Sequence, residues 1–170
     1  INSAEAVATA RAKGIDVIIT DHHDPAEELP DAIAIINPKV HDEVADLRNL
    51  SGVGVAFKLA AALSGDQQQV LREYADMVCL GTVADVMPLQ GENRVFVSRG
   101  LQSLRRTTRP GVAALMQEAG CTPENITASS IGFMLAPRIN AAGRMGQIDL
   151  AVDLFLTDNP VQGVRLARAL

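Results

Sequence analysis

Three consecutive residues able to bind a metal or move a proton stand directly after an apolar run. They are Asp21, His22 and His23, and the run reads Ile-Asp-Val-Ile-Ile-Thr. In open α/β sheets, ligands bind beyond the carboxyl ends of the strands. Imidazole suits manganese, iron and zinc, and carboxylate suits manganese and magnesium. A polar surface loop is the competing interpretation, but the position at the end of a buried strand favours a metal or proton-transfer site.

A further acidic residue, Asp85, stands alone in the apolar stretch 81–89. A carboxylate is almost never fully buried unless it is paired or coordinates a metal. Asp85 is therefore a second candidate ligand. The competing interpretation is a helix cap or a turn beside Pro88.

Two further segments suit phosphate binding. One reads Pro-Arg-Ile-Asn-Ala-Ala-Gly-Arg-Met and contains Arg138, Asn140 and Arg144. Its small residues let the backbone approach a ligand, and the planar guanidinium matches phosphate oxygens. In the other, Ser51 and Gly52 begin a helical pattern whose first N–H groups can hold an anion. An exposed linker and ordinary helix capping are the competing interpretations.

The elements that position these residues are predicted from apolar spacing. Near-continuous apolar runs predict two parallel strands, at 15–20 and 32–36, buried on both faces. Helical spacing precedes them and dominates after residue 50, which predicts an α/β fold: the last part of a parallel-sheet domain followed by a mainly helical region. The predicted helices cover 3–13, 51–63, 66–80, 95–104, 110–119, 127–135, 149–156 and 161–170, with a break at Pro137.

Composition narrows the class of protein. The chain has 170 residues, of which 48% are hydrophobic and 21% charged, which excludes a disordered protein. Two cysteines, Cys79 and Cys121, exclude a disulfide scaffold and fit a reducing compartment, so we expect a cytoplasmic location. No apolar run approaches the roughly 20 residues of a membrane span, so we expect no membrane partner.

Charge is unevenly distributed along the chain. The first 90 residues hold fourteen Asp and Glu against six Lys and Arg, whereas the last 80 hold six against nine. Twelve of the fifteen basic residues are arginine. An acidic half can hold cations and an arginine-rich half can hold phosphates, although a solvated helix face has the same composition.

Taken in order, these segments resemble the RecJ-type exonucleases of the DHH phosphoesterase family. The letters Ile-Ile-Thr-Asp-His-His at 18–23 resemble the motif that names the family. Four more segments carry the RecJ-type pattern, and together they extend the resemblance over nearly the whole chain. They are Asn37-Pro38-Lys39, Ser51–Leu59, Gly81–Asp85 and Pro137–Met145.

The resemblance implies a two-metal phosphodiesterase, using Mn²⁺ or Mg²⁺, that degrades single-stranded DNA from the 5′ end in repair or recombination. It implies that His22 and Asp85 bind metal. It also implies that His23 faces the scissile phosphate and that Asp21 orients the site. Three residues are implied to contact DNA phosphates: Arg138, Asn140 and Arg144.

The family also carries aspartate motifs upstream and a second domain downstream that this chain lacks. We therefore expect a piece of a longer protein, with a partial DHH core at 1–90 and a helical part at 91–170 that leads towards a further domain. Alone, this piece is expected to bind metal weakly and to hydrolyse little. Single-stranded DNA is the expected partner, and a single-strand-binding protein or helicase is a candidate partner.

Two other functions stay open. One is a DHH phosphodiesterase that acts on short oligonucleotides or cyclic dinucleotides. The other is a non-catalytic nucleic-acid-binding or structural module. Base stacking is expected to be sparse because the four phenylalanines fall in apolar helical patterns and are predicted to lie in the core: Phe57, Phe96, Phe133 and Phe155.

Overall fold

The structure is a computed structural model that describes residues 3–40 and 45–170. His41, predicted to be a surface residue, lies outside the described residues. No helix in the described ranges combines the length and apolar character that crossing a membrane requires.

The first part of the chain forms a helix and two parallel strands. Helix α1 spans Ala4–Ala12, strand β1 spans Ile18–Thr20 and strand β2 spans Ala34–Ile36. The strands pair in parallel, with Ile18 opposite Ala34. The predicted α/β class and parallel pairing are therefore confirmed.

The prediction that both strands are buried on both faces is wrong. Ile18 is 62% exposed, and Ile33, just before β2, is 66% exposed. Both strands are also shorter than predicted. The described residues form a sheet of only these two strands, so each strand has an unpaired edge and little covers its faces.

Helices make up most of the rest of the chain. Two short segments depart from α geometry: a 3₁₀ helix at Ala45–Asn49 and a π-helical segment at Ile131–Leu135. The α-helices are α2 (Gly52–Ser64), α3 (Gln67–Ala84), α4 (Gly91–Leu104), α5 (Pro110–Glu118), α6 (Ala128–Ser130), α7 (Ala136–Arg144), α8 (Ile148–Leu156) and α9 (Pro160–Ala169).

Side-chain caps fix the ends of the helices that approach the site. The Ser51 hydroxyl accepts the N–H of Gly54 at the start of α2, and the Asp66 carboxylate accepts the N–H of Gln69 at the start of α3. Gly65 ends α2 with φ +71°, a left-handed conformation that glycine adopts without a steric penalty.

The core lies between the helices in two clusters. The smaller cluster joins α2, α3 and α4, where the Phe57 and Phe96 rings meet edge to face with centroids 4.9 Å apart. The larger cluster joins α3 and α4 to α5, the π segment, α8 and α9 around fully buried residues such as Leu104, Ile131 and Leu154. Helix α3 belongs to both clusters and is therefore held on several sides.

The predicted helix break at Pro137 is wrong. Helices α6 and α7 are joined through the π segment into one helical stretch, and Pro137 lies in the first turn of α7. Proline in a helix removes a backbone donor and crowds the preceding turn. The π segment lies in that preceding turn, and this arrangement lets the helical path continue across Pro137.

The prediction of four core phenylalanines is only partly correct. Phe57 and Phe96 are buried and Phe155 is partly buried against the larger cluster. Phe133 is 85% exposed. It lies within the π segment, whose altered periodicity turns it away from the core that its neighbours Ile131 and Leu135 enter.

Candidate metal centre and adjoining groove

The turn after β1 is organised around one carboxylate oxygen. Oδ1 of Asp21 accepts the backbone N–H groups of His22 and His23 at 2.7 and 3.1 Å. The same oxygen lies 2.7 Å from Nδ1 of His23. Because a carboxylate only accepts, Nδ1 of His23 carries the proton in this contact and Nε2 faces outwards as the free ring nitrogen.

These contacts change the acidity of Asp21. Partial burial alone raises the pKa of a carboxyl group, but hydrogen bonds to Asp21, among them those from the backbone and ring of His23 and the backbone of His22, outweigh it. Together they hold the pKa of the Asp21 carboxyl well below its usual range. Asp21 is therefore ionised at neutral pH.

A buried amide braces the turn from β2. Asn37 is 5% exposed, and its Nδ2 donates to the carbonyl oxygen of His23 at 2.9 Å. Its Oδ1 accepts the N–H of Lys39, also at 2.9 Å. The N–H of Asp21 in turn donates to the carbonyl of Ile36 at 3.1 Å, which ties the turn directly to the neighbouring strand.

The structure brings Asp85 next to His22, although 62 residues separate them in the chain. Nε2 of His22 lies 3.4 Å from Oδ2 of Asp85, with the two side chains 14% and 41% exposed. Asp85 follows the last residue of α3, and its backbone N–H donates to Gly81 at 3.0 Å. Its backbone thus ends the helix, as the capping interpretation predicted, while its carboxylate faces the histidine.

The residue after Asp85 is strained. Val86 has φ +56° and is 87% exposed. A β-branched residue in the left-handed region is uncommon because its Cβ crowds the following carbonyl. The α3 terminus therefore turns away sharply right after the carboxylate.

The donor set fits a divalent transition-metal ion. One ligand atom each from Asp21, His22 and His23 lies within 4.8 Å of the others. Imidazole nitrogen beside carboxylate oxygen is a set that manganese accepts, whereas magnesium favours oxygen alone. Nε2 of His22 is turned towards Asp85, and the Asp21 carboxylate contacts the ring of His23.

The start of α2 lies against the same histidine. A Cβ built on Gly52 would lie 3.5 Å from Cδ2 of His22, which is ordinary contact distance. Ser51 is buried, and its hydroxyl lies 3.2 Å from that of Thr82 on α3. Gly52 thus lies at the site, whereas the Ser51 side chain is committed to the cap and to α3.

An apolar groove of about 700 Å³ lies at the end of α3, and its lining includes Ala84 and Val86, the residues on either side of Asp85 in the chain. The end of α3 and the segment after it form one wall, and the α6–π–α7 stretch forms the other. Asn140 and Arg144 line it, and Nδ2 of Asn140 donates to the carbonyl of Ala84 at 3.4 Å. Arg138 is turned elsewhere, with Nη2 3.5 Å from the carbonyl of Glu118 on α5.

Three residues of the site and the groove were not predicted from the sequence to contribute to it: Asn37, Thr82 and Phe133. Asn37 lies inside a segment that marked the resemblance, and an amide that ends an apolar strand is the signal that could have singled it out. Thr82 gives no signal beyond its place before Asp85. Phe133 was assigned to the core because helical spacing cannot reveal a π segment.

Known proteins share the sequence and the backbone described above. The first 82 residues match the DHH family, N-terminal domain. Residues 1–82 therefore belong to the DHH family. The single-stranded-DNA-specific exonuclease RecJ of Bacillus subtilis is 44% identical over 158 residues, and that of Salmonella typhimurium is 44% identical over 172. These matches cover 93% and 94% of this chain but only 20% and 30% of the relatives.

A solved structure extends the similarity to the backbone. The crystal structure of RecJ from Thermus thermophilus in complex with Mn²⁺ superposes with a TM-score of 0.86 at 32% identity. The match covers 99% of this chain and 25% of that one. The chain is therefore RecJ-like in sequence and fold, and it spans about a quarter of the length of these proteins.

Proposed function

We propose that this chain supplies part of a metal-dependent centre that hydrolyses phosphodiester bonds in single-stranded DNA, starting from the 5′ end. The observation that carries the proposal is the 3.4 Å approach of His22 to Asp85 beside the organised Asp21–His23 turn. The RecJ relatives named above are single-stranded-DNA-specific exonucleases, which supports the substrate.

In this proposal His22 and Asp85 hold a divalent ion, Mn²⁺ or Mg²⁺, and the Mn²⁺ complex of the Thermus relative supports the choice of manganese. Such an ion polarises the phosphate and supplies a nucleophilic water at neutral pH. His23 faces the scissile phosphate with its free Nε2, because Asp21 fixes the proton on Nδ1. Asp21 itself orients the turn rather than touching substrate.

In this proposal the DNA strand is bound by residues that line the groove and by residues near it. Asn140 and Arg144 lie in the groove that begins beside Asp85, where they contact backbone phosphates of the strand. Arg138, on the same helix as Arg144, is proposed to add a further phosphate contact. The helix start at Ser51 and Gly52 supplies backbone N–H donors close to His22. Arginine binds phosphate through two parallel hydrogen bonds.

Since relatives are three to five times longer, the chain is proposed to act as one part of a larger protein, divided near residue 90 into the DHH core and a helical extension. By itself it binds metal weakly and hydrolyses little. We also propose that the protein acts in the cytoplasm, in DNA repair or recombination. A single-strand-binding protein or a helicase is its proposed protein partner.

The test is a nuclease assay on the complete gene product that contains this chain. Single-stranded DNA labelled at either end is incubated with Mn²⁺ and compared with duplex DNA and with a dinucleotide. Asp85→Asn is expected to abolish release of 5′ nucleotides from the single strand. Asp153→Asn, at an exposed position of α8 that does not line the groove, is the matched control and is expected to retain activity.

Two outcomes would replace the proposal. Turnover of the dinucleotide without degradation of the long strand would favour a phosphodiesterase for short substrates. Binding of DNA with no metal-dependent hydrolysis in the wild type would favour a non-catalytic module. Full activity of Asp85→Asn would overturn the metal site itself.

A further inference from the structure

Phe133 is unusual among the aromatic residues of the described ranges. It is 85% exposed, whereas Phe57 and Phe96 are at most 3% exposed and Tyr74 is 41% exposed. It lines the groove beside the candidate metal centre, together with the exposed residues Val86 and Leu89. An aromatic ring displayed to water in this way offers a flat apolar face to a ligand.

The fold holds Phe133 in this position firmly. Its neighbours Ile131 and Leu135 are at most 1% exposed and anchor the π segment in the larger core cluster. A Cβ built on Gly132 would lie 3.7 Å from Cγ1 of Val83, so the segment packs closely on the last turn of α3. Single π turns inside helices occur frequently at functional sites.

The groove combines features that suit one kind of occupant. Its lining is mainly apolar, with Val83, Met87 and Ala136 among its residues, while Asn140 and Arg144 add polar groups. A nucleobase has an apolar face and is joined to an anionic phosphate, so a single strand presents both features together. In a duplex the base faces are stacked on one another and are not available to the groove. An apolar peptide segment has no anionic group for Arg144 to bind.

The groove lies next to Asp85 along the chain, and this position favours a DNA strand as its occupant. Val83, Ala84 and Val86 lie next to Asp85 in the chain and line the groove. Two of them also contact the opposite wall, Val83 against Gly132 and the Ala84 carbonyl with Asn140. A strand with its scissile phosphate at the centre would therefore have neighbouring nucleotides within reach of the groove. Bases stacked on aromatic side chains are bound without sequence preference.

We propose that Phe133 is a base-stacking residue, which holds an unpaired nucleobase in the groove next to the metal centre. This inference rests on the proposed function and adds to it a reason for single-strand selectivity. Phe133 is a positioning residue in this account, since it places the strand and does not touch the reacting phosphate.

The test measures binding of the complete gene product to fluorescent single-stranded oligonucleotides in Ca²⁺, with Mn²⁺-dependent hydrolysis measured separately. Phe133→Ala is expected to weaken binding about 10-fold, the effect typical of losing one base–aromatic stack. Phe133→Leu, which keeps apolar bulk without a ring face, is expected to bind nearly as weakly. Phe133→Trp is expected to restore affinity. Leu156→Ala, at an exposed apolar residue of α8, is the matched control.

A second readout reports stacking directly. Oligonucleotides carrying one abasic site, moved along the strand, are expected to lose affinity for the wild type at one position and to show no such loss with Phe133→Ala. A 2-aminopurine base at that position is expected to be quenched by the wild type only. Because the ring is exposed, its removal leaves the fold intact, which a thermal unfolding curve checks.

The outcomes separate this inference from the proposed function. Equal binding and equal abasic profiles for wild type and Phe133→Ala, with Mn²⁺-dependent hydrolysis intact, would overturn stacking alone. A change in oligomeric state caused by Phe133→Ala, with DNA binding unchanged, would assign the groove to a protein contact and also overturn it. Absence of hydrolysis in the wild type, with the abasic profile present, would remove the proposed function and keep the stacking site.

Discussion

Residues 3–40 and residues 51–170 contribute to one site but are stabilised in different ways. In the first region, Val7 and Pro30 are the only apolar side chains that are buried, and the turn that carries His22 is held by hydrogen bonds with Asp21 and Asn37. In the second region, two apolar clusters fix the helices, and Asp85 stands at the end of α3, one of the two helices that contribute to both clusters. The chemistry therefore depends on a polar turn placed against a rigid apolar platform.

The difference implies that stability and metal binding can be changed separately. Apolar truncations in the helical region lower the free energy of unfolding, whereas changes in the strand region act on the geometry of the metal ligands. Three variants test whether the two regions respond differently.

The largest effect is expected for Leu104→Ala. Leu104 is fully buried in the larger cluster, and removing its side chain leaves a cavity that costs about 3 kcal/mol of unfolding free energy. Ile18→Ala in β1 is the counterpart, and it is expected to cost less than about 1 kcal/mol because Ile18 is 62% exposed. Denaturant unfolding of both variants measures the contrast, and equal losses would show that the strand region shares the core.

Asn37→Ala tests the polar bracing of the turn. It removes the hydrogen bonds to His23 and Lys39 and is expected to cost about 1–2 kcal/mol of stability. Because the brace orients the metal-binding turn, Mn²⁺ affinity is expected to fall about 10-fold.

The control for this variant is Asn125→Ala. Its side chain accepts the N–H of Thr122 at 2.7 Å in a turn before α6, so its removal should cost stability without touching metal affinity. If both asparagine variants bind Mn²⁺ like the wild type, the turn does not need its brace.

The smallest effect is expected for Val86→Asn, and its sign is opposite. Asparagine tolerates the left-handed conformation that Val86 adopts at φ +56°, so the variant is expected to gain about 1 kcal/mol of stability. Val86→Ala keeps most of the backbone strain and serves as the comparison. Thermal unfolding distinguishes them, and a loss of stability in Val86→Asn would mean that the valine side chain makes contacts that matter.

The sequence predicted the local features of the fold more fully than its long-range ones. The parallel pairing at 18–20 and 34–36 and most helices follow from apolar spacing, and the capping role of Asp66 follows from residue type. Burial of the strands was predicted wrongly because it depends on neighbouring elements that this chain's small sheet lacks within the described ranges.

The site also combines local contacts, which follow from the sequence, with a long-range contact, which does not. The Asp21–His23 contacts are local and follow from consecutive residues in a turn. The approach of Asp85 to His22 was implied only by the family resemblance, since spacing along the chain says nothing about residues so far apart. The exposure of Phe133 could not be predicted, because a π turn shifts the face that a helical pattern assigns to the core.

The most direct test of the account is calorimetric titration of Mn²⁺ into the chain and into a variant carrying both His22→Ala and Asp85→Ala. A variant with Asp149→Asn and Asp153→Asn, two exposed acids of α8, controls for loss of negative charge. The wild type and the control are expected to bind Mn²⁺ weakly, and the His22 and Asp85 variant is expected not to bind it. Binding of equal strength in all three proteins would contradict the claim that the strand turn and the end of α3 hold one metal ion together.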